Sequence, residues 1–405
     1  MEKFRLIPLL TAAVMDCTAL LAGCGKGSDS SSKAEEGAKT SDDGSINKDL
    51  TATELARLLG NGTNLGNTME AYGHKSYSAD TDPESFETFW GQPVTTEEMI
   101  KGMKASGFDS LRVPVAWTNA MEYEKGDYTI NEAYLDMFGS SEQSDVDKAF
   151  EMYKSMWTQI ANRYKKYSDR LIFEGANEEL GDRLNDTDVC KNSGSLSKAE
   201  CYEMANKINQ TFVDTVRATG GNNEQRFLLI AGYNTDITMT CSNKFQMPTD
   251  TAKDKLLLSV HYYTPWDYCG TKGRSDWGTK TDYEEQNRLF KNMTKYSEQG
   301  YGIIIGEYAV LTNGGDLKKG TDKFIDNLLD NCDAYGFAPF LWDCSDFFSR
   351  SELKMRDETV AKIFDERRRD NQSSMTVEEE RAAAVKKLDE TLAAAPEKLT
   401  DDTAP

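Results

Sequence analysis

From Thr51 onward, short apolar runs rich in β-branched residues alternate with amphipathic segments, and this alternation limits the possible folds more than any other feature of the chain. Seven runs are evident, at residues 62–67, 110–115, 170–178, 226–234, 256–263, 302–308 and 337–343. Such continuous apolar runs are typical of parallel strands covered by helices. The alternation predicts an α/β fold, and eight repeats would close it into a (β/α)8 TIM barrel.

The helices between these strands are indicated by their capping signals. Thr95 and Glu98 have the spacing of a capping box, with the helix ending at Gly107, and Ser197 and Glu200 have the same spacing. Further helices are predicted at residues 145–167, 283–297, 322–335 and 358–369.

One strand and helix unit is not evident. Between Val115 and Arg170 the only clear helix is preceded by an irregular stretch, residues 131–141, that has no β-branched run. Either a strand of poor pattern lies near residues 134–138, or the barrel is incomplete, one strand short or open.

The N-terminal residues resemble a bacterial lipoprotein signal. Lys3 and Arg5 precede an apolar stretch at residues 6–21, and small residues then lead to Cys24, whose thiol would be lipidated. Asp16 departs from the pattern, and a plain secretory signal or a short buried helix are the alternatives. The signal implies an exported protein, anchored by lipid to the cell envelope or cell surface.

Composition divides the rest of the chain. After the signal peptide at 1–24, residues 25–47 are polar and predict a flexible linker. The barrel would occupy 48–370, and the charged, Ala-rich residues 371–405 predict a solvated helix or a disordered tail, with a partner-docking role as the alternative.

The cysteines leave the disulfide pattern open. Six follow Cys24, and six cysteines allow fifteen connectivities. Cys190 and Cys201 form the most local pair, and free buried thiols are the alternative.

The charge balance excludes several functions. The chain has 68 acidic and 47 basic residues, a net charge of −21 and two histidines. A protein this acidic, without a basic stripe, is not expected to bind nucleic acid. Two histidines argue against a multi-histidine metal site, so we expect no metal, no cofactor and a chemistry of carboxylates.

Two glutamates directly follow or end apolar strands, Glu178 and Glu307. In a barrel the C-terminal strand ends meet at one mouth, so this pair could flank one bond. Glycoside hydrolysis needs two carboxyl groups with different duties, and aromatic residues near several strand ends suit sugar rings. Burial of a proton donor would raise its pKa.

Six segments in the same order resemble glycoside hydrolase family 5, the cellulase A family, and especially its bacterial endoglucanase and xyloglucanase branch. They are residues 62–68, 107–117, 171–178, 259–266, 303–308 and 340–343. The resemblance implies a retaining mechanism with Glu178 as acid/base and Glu307 as nucleophile. It further implies substrate-binding roles for Arg112, Asn177, His261, Tyr263, Trp266 and Trp342, with Arg112 stabilising the nucleophile as an anion.

Two departures from the family matter. The family's Asn-Glu-Pro is Asn177-Glu178-Glu179 here, and the second negative charge would raise the pKa of Glu178. The family's third strand ends in a loop that carries a histidine, but no histidine lies between His74 and His261. Together with the missing repeat, this predicts a deletion of about one strand and its loop.

The leading hypothesis is a monomeric retaining endo-β-1,4-glucanase that hydrolyses plant cell-wall β-glucans. Xyloglucanase, lichenase and mannanase activities are alternatives within the family, because loops set specificity. A lipoprotein that binds glucan without hydrolysing it is the alternative from another class. Apart from a lipid anchor, no membrane or nucleic-acid partner is expected.

Overall fold

The computed structural model describes residues 12–16, 42–74, 76–77, 81–117, 143–185, 194–312, 316–368 and 375–399. Its strands are β1 Ala12–Asp16, β2 Gly62–Asn64, β3 Ser110–Pro114, β4 Leu171–Glu174, β5 Leu228–Asp236, β6 Leu256–Tyr262, β7 Gly302–Tyr308, β8 Ala338–Leu341, β9 Phe348–Ser349 and β10 Lys354–Met355. Its α-helices are α1 Ala52–Leu58, α2 Pro83–Phe89, α3 Glu97–Ala105, α4 Gln143–Tyr164, α5 Lys198–Ala218, α6 Trp266–Cys269, α7 Lys280–Asn292, α8 Thr294–Ser297, α9 Thr321–Tyr335, α10 Glu358–Glu366 and α11 Val377–Ala394.

The seven predicted strands are confirmed as β2 to β8, and neighbouring members of this set pair in parallel. The barrel closes in the order β1-β3-β2-β8-β7-β6-β5-β4. β1 lies antiparallel between β3 and β4, where the N-terminal apolar stretch pairs with both. β9 and β10 form a separate two-stranded sheet. The region in which the third family strand was expected, 118–142, lies outside the described residues.

Each predicted helix is present and begins within three residues of its predicted start. Ser197 and Glu200 form the predicted capping box of α5. The capping box predicted from Thr95 is wrong by one residue, since the side chain of Thr96 accepts the hydrogen bond from the Met99 amide. The backbone N–H of Thr95 instead donates to Glu87 at 2.6 Å.

Helix α1 closes the N-terminal end of the barrel. Its residues Ala52, Leu55 and Ala56 are buried and pack with inward-facing apolar side chains of the strands, namely Ile172, Leu229, Leu257, Ile304, Ala338 and Phe340. Apolar side chains therefore fill this end of the barrel, and the polar side chains lie at the other end. The second, larger core lies between the strands and the outer helices.

Helix α11, predicted as a solvated helix or disordered tail, packs on the barrel's outer layer. Ala384 and Leu388 are buried in a small cluster with Ala334 of α9. Lys387 lies 3.1 Å from Asp326 and 2.9 Å from Asp330. The C-terminal helix is therefore part of the same folded unit, whereas the domain boundaries at 24, 47 and 370 stay predictions.

The five cysteines that the structure describes are free thiols: Cys201, Cys241, Cys269, Cys332 and Cys344. Cys190 lies outside the described residues, as does any pairing that involves it. Within the described ranges, no helix has the length and apolar character required to cross a bilayer.

Candidate active site

The polar residues at the C-terminal strand ends converge on one buried cation, Arg112 of β3. Its Nε donates to Glu174 at 2.7 Å, and its Nη1 donates to Asn64 at 2.9 Å and to Glu307 at 2.7 Å. Its Nη2 donates to Asn177 at 2.9 Å. Side chains on or just after β2, β4 and β7 are thus joined by one guanidinium group.

Arg112 keeps its charge under all relevant conditions. Burial disfavours the cation, but the carboxylates of Glu174 and Glu307 outweigh that effect and raise its pKa. The guanidinium is 2% exposed, so its hydrogen bonds replace those it would form with water. The predicted contact with Glu307 is present.

The two glutamates face each other across the mouth. Oxygen atoms of Glu178 and Glu307 and a ring nitrogen of His261 all lie within 4.8 Å of one another. Retaining glycosidases place their two carboxyl groups about 5–5.5 Å apart, whereas inverting enzymes leave about 6.5–9.5 Å for a water molecule. The side chain of Glu178 is 27% exposed and that of Glu307 is 7% exposed, so Glu178 is the more open to the leaving group.

His261 lies between both carboxylates. Its Nδ1 is 2.9 Å from Glu178 and 3.5 Å from Glu307. Burial acts to lower the pKa of the imidazole, but Glu307 and Glu178 together raise it above its usual value. His261 is therefore protonated more readily than an ordinary histidine.

The expectation of a raised pKa for Glu178 is wrong. Burial does act in that direction, but the hydrogen bond and the charge of His261 outweigh it and lower the pKa of Glu178. The hydrogen bond between Glu178 and His261 therefore stabilises a carboxylate beside an imidazolium. A proton for the leaving group can be held at this contact rather than on an isolated carboxylic acid.

Aromatic residues surround the carboxylates. The Tyr263 hydroxyl donates to Glu307 at 3.0 Å, and burial and both glutamates raise its pKa, so it remains a neutral donor. Trp266 begins α6 and is 58% exposed, with its ring centroid 6.1 Å from that of Tyr263. Trp342 directly follows β8, and the structure thereby places all eight predicted site residues of the barrel at the same end.

Gly66 makes room for the Trp342 ring. A Cβ atom at this position would lie 3.1 Å from a ring carbon of Trp342 and 2.8 Å from the Asp343 carbonyl oxygen. Both distances are too short for an ordinary contact, so the loop after β2 needs glycine here. This loop also contains Glu70, whose carboxylate accepts hydrogen bonds from the backbone N–H groups of Asn67 and Thr68.

Two residues of the network, Glu174 and Asn64, were missed as functional residues by sequence reasoning. Glu174 ends a strand in which every residue is buried, and it is itself completely buried. Asn64 donates from Nδ2 to the carbonyls of Gly306 and Leu341 while its Oδ1 accepts from Arg112. A charged residue inside an apolar strand was a signal that could have identified Glu174.

Glu178, His261 and Glu307 are spaced closely enough to hold a divalent ion. Their ligand atoms are already engaged, since Arg112 and Tyr263 donate to the two oxygens of Glu307 and His261 contacts Glu178. This arrangement favours a network for acid, base and nucleophile over a resident metal centre.

Comparison with known proteins identifies the family. The sequence profile described as cellulase (glycosyl hydrolase family 5) matches residues 74–141 and 136–348. Endoglucanase A of Paenibacillus barcinonensis is 32% identical over 315 residues, which cover 64% of this chain and 74% of the relative. The chain belongs to glycoside hydrolase family 5.

Other family 5 proteins resemble the chain over similar lengths. A xyloglucan-specific endo-β-1,4-glucanase of Bacteroides ovatus is 30% identical over 341 residues, covering 73% of this chain and 65% of the relative. The structure of a broad-specificity endoglucanase from Ruminococcus champanellensis with bound cellotriose superposes with a TM-score of 0.65 at 28% identity, covering 78% of this chain and 98% of that one. The predicted barrel fold and the assignment as a glycoside hydrolase are confirmed.

Proposed function

We propose that the chain is a retaining endo-β-1,4-glucanase in which Glu307 is the nucleophile and Glu178 the acid/base. The observation that carries the proposal is that one oxygen of each carboxylate lies within 4.8 Å of the other, which fits the spacing of about 5–5.5 Å in retaining enzymes better than the about 6.5–9.5 Å of inverting enzymes. Arg112 and Tyr263 hold Glu307 by both oxygens, while Glu178 contacts only His261 among these groups and is more exposed. The same geometry disfavours the alternative of a non-catalytic glucan-binding protein.

The first step forms a covalent glycosyl ester. A carboxylate oxygen of Glu307 attacks the anomeric carbon as the bond to the leaving oxygen breaks, and Glu178 supplies the proton to that oxygen. The proton reaches Glu178 from His261 Nδ1 across their 2.9 Å contact. Trp342 and Trp266 provide apolar faces for the sugar rings, and Asn177 offers an amide for a sugar hydroxyl.

The second step releases the sugar. Glu178, now a carboxylate, accepts a proton from a water molecule whose oxygen attacks the anomeric carbon of the ester, and passes a proton back to His261 Nδ1 across their 2.9 Å contact. The bond to Glu307 breaks and its electrons return to the carboxylate, which Arg112 and Tyr263 again stabilise by hydrogen bonds. The anomeric configuration is retained overall.

The roles are tested with a pair of variants and a soluble substrate. We expect Glu307→Gln to release no measurable reducing ends from carboxymethyl-cellulose. Glu178→Ala should turn over an aryl cellobioside slowly, and added azide, which needs no general base, should restore turnover. Proton NMR of the first product should show the β-anomer. A product of inverted configuration, or an active Glu307→Gln variant, would contradict the proposal.

The substrate is proposed to be a β-1,4-glucan. The names of the relatives include endoglucanases and a xyloglucan-specific enzyme, and one similar structure holds cellotriose. Parallel assays on carboxymethyl-cellulose, xyloglucan, lichenan and glucomannan rank these polymers directly. A kcat/KM that is highest on glucomannan would overturn the β-glucan assignment. Gel filtration separately tests the prediction that the protein is a monomer.

We also propose that the chain lacks the third strand of the family. The family profile matches in two blocks that overlap at residues 136–141, and the described part of the barrel contains seven parallel strands, with the antiparallel β1 between β3 and β4. A crystal structure of the exported form should show no parallel strand between β3 and β4. A strand contributed by residues 118–142 would refute the deletion.

The lipoprotein proposal rests on the signal that ends at Cys24. Cleavage before Cys24 would remove Ala12–Asp16, the segment paired with β3 and β4 in the full chain. Labelling with a palmitate analogue and the N-terminal mass of the cellular protein test this proposal, with Cys24→Ala as the control. An unlabelled protein that keeps residues 12–16 would contradict it.

A further inference from the structure

The inference concerns Glu174, a buried carboxylate that lies four residues before Glu178 on β4. One of its oxygens accepts a hydrogen bond from Arg112 Nε at 2.7 Å, the same distance that separates Arg112 Nη1 from Glu307. Its other oxygen, Oε1, has no hydrogen-bond partner within the described ranges. The charge of Glu174 is therefore directed at a guanidinium that also binds the proposed nucleophile.

The site as a whole is a row of alternating charges. It runs from Glu174 to Arg112, Glu307, His261 and Glu178, with successive contacts of 2.7, 2.7, 3.5 and 2.9 Å. Three potential negative charges thus alternate with two potential positive charges in a buried space. Every cation has a carboxylate on both sides, so neither depends on one partner alone.

Esterification of Glu307 changes this balance. Formation of the glycosyl ester removes the negative charge of Glu307, while Arg112 stays cationic and 2% exposed. A buried cation that loses its only counter-charge is strongly unfavourable. Glu174 takes no part in the ester, so its carboxylate remains in contact with Arg112 throughout the reaction.

We propose that Glu174 is a positioning residue that orients Arg112 toward Glu307 and neutralises Arg112 when Glu307 becomes an ester. It does so without touching the sugar. The inference rests on the proposed function, because it requires Glu307 to be the nucleophile. With Glu174 neutral, Arg112 would bind Glu307 more strongly before the reaction and oppose formation of the ester.

Glu174→Gln removes the negative charge but keeps the shape of the side chain and one oxygen that can accept the hydrogen bond from Arg112 Nε. We expect kcat on an aryl cellobioside to fall about 10- to 100-fold, within the range for electrostatic groups near a reacting centre, while KM changes less than about twofold. Inactivation by a 2-deoxy-2-fluoro glycoside, which reports ester formation alone, should slow by a similar factor. The acid limb of the pH profile of kcat/KM should move to lower pH, because Arg112 then stabilises the Glu307 carboxylate more strongly.

Asp250→Asn is the matched control for losing a buried ion pair. Asp250 contacts Arg217 at 2.6 Å, and their side chains are 5% and 7% exposed. We expect this variant to lower the melting temperature without changing kcat or the pH profile. If Glu174→Gln behaves in the same way, Glu174 has only a structural role and the inference is wrong.

The outcomes separate the inference from the proposed function. If Glu307→Gln is inactive and Glu174→Gln keeps the wild-type rate of ester formation, the function stands and the inference fails. If Glu307→Gln remains active, the proposed nucleophile is wrong and the inference falls with it. A slowed ester formation with unchanged binding of cello-oligosaccharide supports both.

Discussion

The strands on the two sides of the barrel differ in length, and the catalytic residues are divided between them. The short-strand half, β2, β3 and β4, has strands of three, five and four residues, while the long-strand half, β5, β6 and β7, has nine, seven and seven. Six residue pairs join β6 to β7 in the long-strand half, whereas three join β2 to β3 in the short-strand half. The long-strand half has the more extensive backbone support.

Side-chain contacts across the mouth join the two halves. Glu178 follows the short-strand half, and His261 and Glu307 lie on the long-strand half. The Arg112–Glu307 and His261–Glu178 contacts cross between them, as does the bond from Asn64 to the Gly306 carbonyl. The hydrogen bonds of the active site therefore also stabilise the side of the barrel with the shorter strands.

The largest effect is expected from Arg112→Lys, which keeps the charge but loses the planar fork that reaches four side chains. Kcat/KM should fall by about 10²- to 10³-fold and the free energy of unfolding by about 3–5 kcal/mol. Activity assays and urea denaturation measure the two effects. Arg217→Lys is the control, because Arg217 forms a buried ion pair with Asp250 away from the active site. This variant should lower stability and leave activity unchanged.

Hydrogen exchange compares the two halves directly. Amides of β3 and β4 should exchange at least about tenfold faster than those of β6 and β7, because local opening needs fewer broken contacts. A chain that begins at Cys24 should show faster exchange in β3 and β4 than the full chain and no change in β6. Equal protection in both halves would show that strand length does not control opening here.

Strand positions were predictable because each strand is an apolar run between polar segments. The predicted runs extend past several strand ends, as at residues 62–67 against Gly62–Asn64, because functional polar residues follow each strand directly. The helix cap at Thr96 was not predictable from local spacing. It depends on Glu87, which binds the Thr95 amide from another helix.

The site was predictable as a set of residues but not as a network. Strand-end placement and the family resemblance identified Glu178, Glu307, Arg112 and His261, which the structure brings together. The direction of the Glu178 pKa was wrong, because it depends on a histidine 83 positions away in sequence. Sequence shows that Glu174 is charged but does not show which cation it faces.

Deletion of residues 376–405 tests whether the packing of α11 on the outer helices contributes to stability without affecting the active site at the barrel mouth. Loss of the buried Leu388 and of the Lys387 and Glu380 ion pairs should lower the free energy of unfolding by about 2–3 kcal/mol. Kcat should not change, because α11 packs on α7 and α9. Leu388→Ala should reproduce part of the loss, and a reduced kcat in the deletion would indicate coupling to the site.

The smallest effect concerns Glu70, in the loop after β2. Burial raises its pKa to about 7, against 4.5 for an ordinary glutamate, despite hydrogen bonds from the Asn67 and Thr68 amides. Between these values the folded protein holds a proton that the unfolded chain has lost, so Glu70 reduces stability as pH rises from about 4.5 to about 7. The loss is complete above about pH 8.

Glu70→Gln mimics the protonated side chain and removes this dependence. The difference in free energy of unfolding between Glu70→Gln and wild type should grow by about 2 kcal/mol, in favour of the variant, from pH 5 to pH 8. Urea denaturation at both pH values measures the change. Glu200→Gln is the control, because hydrogen bonds from Ser197 lower the pKa of Glu200 and its carboxylate is ionised at both values. Parallel stability curves for Glu70→Gln and wild type would show that the buried loop carboxylate is ionised throughout, and that the short-strand half tolerates its charge.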